Sequence, residues 1–121
     1  MARVLVAHGP NLSRLGSREP EVYGTATLAD IEATLRGRAV ASLELSFAQT
    51  DDEATLVGLM HDAVDSGTHV IVNPAAFTHY SYALRDACAM VTWVCLSPTL
   101  LIGGRRFWPP CKRIKRRGVA S

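Results

Sequence analysis

The chain has 121 residues, of which 48% are hydrophobic and 20% charged, the composition of a single globular domain long enough to bury a core. No run of about 18 apolar residues occurs, which argues against a membrane-spanning helix. The net charge of +2 conceals two regions: residues 1–98 carry six basic and eleven acidic residues, a net of −5, whereas residues 99–121 carry seven basic residues and no acid. So sharp an asymmetry marks a basic tail or a foreign segment. Cys88, Cys95 and Cys111 are odd in number and lack metal-ligand spacing, so reduced thiols in a cytoplasmic protein are expected. The N-terminus passes directly into a strand-like run, with no basic and apolar leader pattern.

Taken in order, Arg3-Val4-Leu5-Val6-Ala7 reads as a short buried strand. The chain leaves it through Gly9-Pro10 and continues for about fifteen residues without hydrophobic periodicity, far longer than the ~2–6 residues usual between a strand and a helix. Within this loop lie Asn11, Arg14, Arg18, Glu19, Glu21 and Tyr23. In a parallel sheet it would stand over the carboxyl end of the first strand, where ligands bind. Thr27-Leu28-Ala29-Asp30 has the form of a capped helix start, and Leu28, Ile31 and Leu35 give it one apolar face.

Leu43 to Gln49 alternates as a second strand, and Thr50-Asp51-Asp52-Glu53 opens another helix with acids favoured by its dipole. Leu56, Leu59, Met60, Ala63 and Val64 follow at helical spacing, with Gly67 as the stop. His69-Val70-Ile71-Val72 predicts a third strand ending at Asn73-Pro74. A helix carrying Ala83, Leu84, Ala87 and Cys88 comes next, then an apolar strand over about 91–96. This alternation predicts a doubly wound parallel α/β sheet with helices on both faces.

The stretches HGPNL (8–12) and LGSREPEVYG (15–24) resemble the NGPNLNxLGxREPxxYG signature of the type II 3-dehydroquinate dehydratases. The resemblance runs on through QTDDE (49–53), where that family has QSNHE, and through NPAAFTHYSYALRDA (73–87), to about Ser97. It implies a flavodoxin-like sheet and a cofactor-free, metal-free dehydration of 3-dehydroquinate, with a homododecamer built from trimers. It also implies roles. Tyr23 matches the base, a phenol whose ordinary pKa of about 10 a nearby guanidinium would lower, and Arg18 matches that guanidinium. Asn11 matches the amide positioning the water that stabilises the enolate. Asn73, His79 and Asp86 match substrate-binding positions, Arg85-Asp86 being equally suited to subunit contacts. Leu96 and Ser97 match the residues whose backbone donors hold the substrate carboxylate.

The chain departs from this pattern at His8, where the family has Asn, at Ser13-Arg14, and at Cys95, where the family has the histidine general acid. Beyond residue 98 neither an arginine-bearing lid nor an amphipathic helix is legible. Pro109-Pro110 is incompatible with a helix interior, and no motif assigns Arg105 or Arg106 to the lid. The expected organisation is therefore a C-terminally incomplete dehydratase domain over 1–98 and a basic tail over 99–121 outside the fold, of the kind a reading-frame change produces. Two other readings compete: a non-catalytic domain that binds a small polyhydroxy acid or acts as a scaffold, and a binder of nucleic acid or anionic surfaces. The latter would use the basic run 112–117 with Phe107 and Trp108, but the acidic body opposes it, and neither a Gly-x-Gly-x-x-Gly run nor a P-loop is present.

Overall fold

The structure, a computed structural model, describes residues 2–91, 93–96 and 112–113, with the backbone alone described at Val22, Tyr23, Trp93, Cys95, Leu96, Lys112 and Arg113. Its strands are β1 (Ala2–His8), β2 (Leu43–Gln49), β3 (His69–Asn73), β4 (Trp93–Leu96) and β5 (Lys112–Arg113). They form one sheet in the order β2-β1-β3-β4-β5. The first four run parallel, as the alternation predicts, and β5 joins the β4 edge antiparallel through Trp93–Arg113 and Val94–Lys112. A parallel 2-1-3-4 order is that of the flavodoxin-like doubly wound sheet. Apart from β5, the segment 99–121 lies outside the described residues.

The helices are α1 (Pro20–Tyr23), α2 (Leu28–Arg38), α3 (Glu53–Ser66) and α4 (Tyr82–Met90). Local chemistry accounts for their ends. Thr27 and Asp30 form a reciprocal capping box at α2, satisfying two backbone donors that the first turn leaves unpaired. Asp52 caps α3 through the Thr55 N–H, and Gly67 ends it in the left-handed conformation at φ 68°, which a residue without Cβ adopts freely. Ser81 caps α4 through the Leu84 N–H.

In β1 the side chains alternate between the two faces of the sheet. Ala7 joins Val70 and Val72 of β3 in the main core, against Leu56, Met60 and Ala63 of α3 and Leu84, Ala87 and Cys88 of α4. Leu56, Met60, Val70, Val72 and Leu84 are fully enclosed there. Burial pushes the Cys88 thiol up to about 12, so it stays protonated and unreactive. Val4 and Val6 face the other way and share their face with Phe47, whose register partner is Val6. The Arg36 guanidinium of α2 sits 4.7 Å from the Phe47 ring centroid, a cation–π contact that places α2 on this second face. Among the described residues coverage is unequal. No α2 residue is buried, and Leu28, Ile31 and Leu35 are only half-buried.

This inequality sets an expected contrast in stability. Leu56→Ala removes a fully enclosed side chain and is expected to cost about 2–5 kcal/mol. Leu35→Ala, half-exposed to begin with, is expected to cost about 1 kcal/mol. Urea unfolding of the two variants at unchanged m-value checks this; equal losses would show that α2 is packed as firmly as α3.

Candidate active site

The carboxyl ends of β1, β2 and β3 meet at one edge, where His8 is the register partner of both Gln49 and Asn73. Two loops rise from this edge. The first, after β1, holds a 3-10 turn at Leu12–Arg14 and then α1, so part of a stretch lacking hydrophobic periodicity is nevertheless helical. The second, after β3, is the 3-10 turn Ala75–His79.

Among the described residues, the only non-glycine residues with positive φ are Asn11 at 67°, Glu19 at 38° and Ala75 at 51°, and all three lie in these two loops. Each such conformation costs about 1–3 kcal/mol and persists only where surrounding contacts impose it; such residues gather at functional sites. The contacts are present at two of the three. Asn11 donates its N–H to Asp51 Oδ1 at 2.9 Å. Ala75 donates its N–H to the Asn73 side-chain oxygen at 3.1 Å.

The two loops are tied at their roots. Gly9 donates its N–H to the Asn73 carbonyl at 2.7 Å. A Cβ on Gly9 would come within 2.5 Å of the Pro74 carbonyl oxygen, so no other residue type fits without displacing backbone. Gln49 donates its side-chain amide to the Gly9 carbonyl at 3.2 Å and to Asp51 Oδ1 at 3.1 Å. Thr50 donates its N–H to the His8 carbonyl at 3.0 Å. On the far side, Ser81 donates to Glu53 Oε1 at 2.8 Å and joins the starts of α3 and α4.

The residues expected at the site are distributed unevenly. Asn11 is exposed and Asn73 buried at the common edge, one at the root of each loop. Arg18 is half-buried, and its N–H is bonded to the Arg14 carbonyl at 3.0 Å. Tyr23 is the last residue of α1; its side chain lies outside what is described. The Leu96 backbone reaches the same edge as the register partner of Val72. The Cys95 side chain and the whole of Ser97 lie outside the described residues. His79 is exposed at the end of its turn, whereas Asp86 is exposed on α4, about 6 Å along the axis from the helix start at Tyr82.

His8, Gln49, Asp51, Glu53 and Ser81 were not singled out as site residues by sequence. Gln49-Thr50-Asp51-Asp52-Glu53 read there as a strand end and helix start and as the counterpart of the family's QSNHE, with no role attached to any of the five; its task at the loop root depends on register across strands. His8 had two signals, its departure from the family's Asn and its place as a polar residue ending a β-branched strand. Buried with 8% exposure, it has no hydrogen-bond partner at Nδ1 among the described residues. Desolvation lowers its pKa, partly offset by the Glu32 carboxylate. The described residues contain no cluster of His, Cys, Asp and Glu able to hold a metal, and no helix among them is long and apolar enough to cross a membrane.

A 2-1-3-4 parallel sheet with strained loops over its strand ends defines a doubly wound α/β protein, a class in which ligands bind outside the carboxyl ends of the strands. The family model for class II dehydroquinases matches residues 2–97, and the chain belongs to that family. It is 56% identical over 88 residues to a 3-dehydroquinate dehydratase of Kineococcus radiotolerans, an alignment covering 72% of this chain and 60% of the relative. To the 3-dehydroquinate dehydratase of Salinispora arenicola it is 53% identical over 90 residues, covering 74% and 63%. The type II dehydroquinase structure from Propionibacterium acnes superposes with a TM-score of 0.69 at 40% identity, covering 79% of this chain and 66% of that one. The chain thus spans about 60–63% of the length of these two curated relatives.

The state of His8 gives a pH prediction. Its folded pKa lies below the unfolded value of about 6.5, so the unfolded chain binds more protons between the two values. Its contribution to stability is therefore complete above about pH 6.5 and is lost as pH falls from there to the folded pKa. His8→Asn should flatten the stability profile through this window. Chemical denaturation of both proteins from pH 7.5 to 5 provides the comparison, and parallel profiles would contradict the assignment.

Proposed function

We propose that this chain carries the catalytic framework for dehydrating 3-dehydroquinate to 3-dehydroshikimate, a lyase reaction of the shikimate route to aromatic amino acids. The observation carrying this reading is family membership over residues 2–97 together with an Asn11, Arg18 and Tyr23 loop that retains the family's motif. In this reading Tyr23, as phenolate, takes the proton from the carbon beside the ketone. The Arg18 guanidinium favours the ionised phenol. Asn11 orients the water that stabilises the enolate oxygen, a task requiring a fixed dipole. The left-handed backbone of Asn11, held by Asp51, supports that role. Asn73 binds substrate hydroxyls, His79 and Asp86 are further substrate-binding residues, and the backbone donors of Leu96 and Ser97 bind the carboxylate. No cofactor or metal takes part.

Loss of hydroxide then requires a proton donor. Cys95 occupies the place of the family's histidine, and a thiol with an ordinary pKa near 8.5 is a poorer donor at neutral pH than imidazole. General acids contribute about 10²–10⁴-fold, so the second step is slowed more than the first. The same substitution favours a second reading, a non-catalytic domain that binds a small polyhydroxy acid. We further propose a 1–98 catalytic unit with a 99–121 basic tail, a cytoplasmic location, and assembly into a trimer-based dodecamer. Nucleic acid is not assigned as a partner.

Incubation with 3-dehydroquinate in deuterated water tests the reaction, with exchange beside the ketone followed by NMR and enone formation by absorbance. Exchange is expected to persist, while dehydration runs at least about a hundredfold slower than in an intact relative. Tyr23→Phe should abolish both signals. Exchange that survives this substitution would remove Tyr23 as the base; absence of exchange in the parent chain, with substrate still bound, would favour the non-catalytic reading.

A further inference from the structure

Three hydrogen bonds among four polar groups tie up the start of the first loop. Asp51 Oδ1 accepts the Asn11 N–H at 2.9 Å and the Gln49 side-chain amide at 3.1 Å, and the same amide donates to the Gly9 carbonyl at 3.2 Å. Together they bridge Gly9 to Asn11 across Pro10, joining the exit of β1 to the connection after β2. Asn11 has φ 67°, an orientation that asparagine tolerates but does not impose. The partner that imposes it is an exposed carboxylate forty positions away in sequence.

From this arrangement we propose that Asp51 is a positioning residue of the site, acting through the backbone of Asn11 to aim its side-chain amide. The proposal rests on the reading of Asn11 as the amide that serves the enolate. Asp51 is suited to this task and to little else in the fold. It is exposed, it is not part of the main core, and the adjacent Asp52 supplies the α3 cap. Among the described residues it accepts two hydrogen bonds, and both converge on the loop root. Removing its carboxylate therefore leaves the core intact and releases the segment that carries Asn11. An ionised carboxylate makes the stronger, charge-assisted bond to an N–H, whereas an amide oxygen at the same place can still accept.

The test uses the full chain with two substitutions, Asp51→Ala and Asp51→Asn. Amide hydrogen exchange read by ¹⁵N NMR is expected to speed about tenfold to a hundredfold at Asn11 in the alanine variant, the range set by losing a charge-assisted hydrogen bond, and much less in the asparagine variant. Amides of Leu56, Met60 and Leu84 should be unaffected in both, which separates local release from failure to fold. With 3-dehydroquinate in deuterated water, Asp51→Ala should lower the saturated exchange rate about tenfold with little change in the half-saturating concentration, and Asp51→Asn should restore most of it. Unaltered protection of Asn11 in the alanine variant would overturn the proposal. So would a released Asn11 accompanied by a parent-like exchange rate. If the parent chain itself catalyses no exchange, the dehydratase reading fails, while Asn11 protection still decides whether Asp51 sets that residue.

Discussion

The packing of Gly9 against Pro74 is the constraint on which the site depends. Two adjacent parallel strands end there, and the chain must turn away from both without their backbones colliding. With no side chain at residue 9 the exits approach closely enough for the Gly9 N–H to reach the Asn73 carbonyl. This contact brings the roots of both loops to a common edge. The left-handed residues Asn11 and Ala75 follow on either side, each fixed by a side-chain acceptor rather than by its own preference. Strain of this kind is maintained by the rigid sheet beneath it.

Among the described residues, the sheet is held far more firmly on one face than on the other. α3 and α4 enclose Ala7, Val70 and Val72 in a continuous core that also contains Phe77 and Val91. On the opposite face α2 contributes half-buried side chains and the Arg36–Phe47 contact. Charged-ring contacts at exposed sites are worth about 0.5–1 kcal/mol, less than one enclosed leucine. The site draws its rigidity chiefly from the α3 and α4 side: Asp51 stands just before α3, and the Asn73–Pro74 turn leads towards α4.

Much of this architecture was legible from sequence because it is encoded locally. The β-branched runs at 3–7 and 69–72, the Thr27–Asp30 cap, the apolar spacing from Leu56 to Val64 and the stop at Gly67 are short-range signals, and the structure reproduces them. The sequence set Asn11 just after the first strand and Asn73 at the end of the third, and the structure has them there, at the roots of the two loops. What stayed hidden was set by register and backbone conformation. Nothing in the string HGPN shows that its asparagine is paired with Asp51, because that pairing exists only once β1 and β2 align His8 with Gln49. The left-handed Ala75 was equally silent, since alanine carries no turn signal of its own. The short α1 escaped because four residues are too few to display a helical period.

The central place of β1 has a consequence for how the chain is made. This strand is synthesised before β2 and β3, which are its two neighbours, so it remains without a full set of backbone partners until Asn73 has been translated. At about 5–20 residues per second the delay is several seconds. During that interval an apolar strand with open edges is exposed to other nascent chains, the condition that makes parallel sheets slow to form and prone to aggregate. The charged Arg3 near its beginning and the loop from Pro10 onward flank that strand with polar groups, a form of protection already present before the sheet exists.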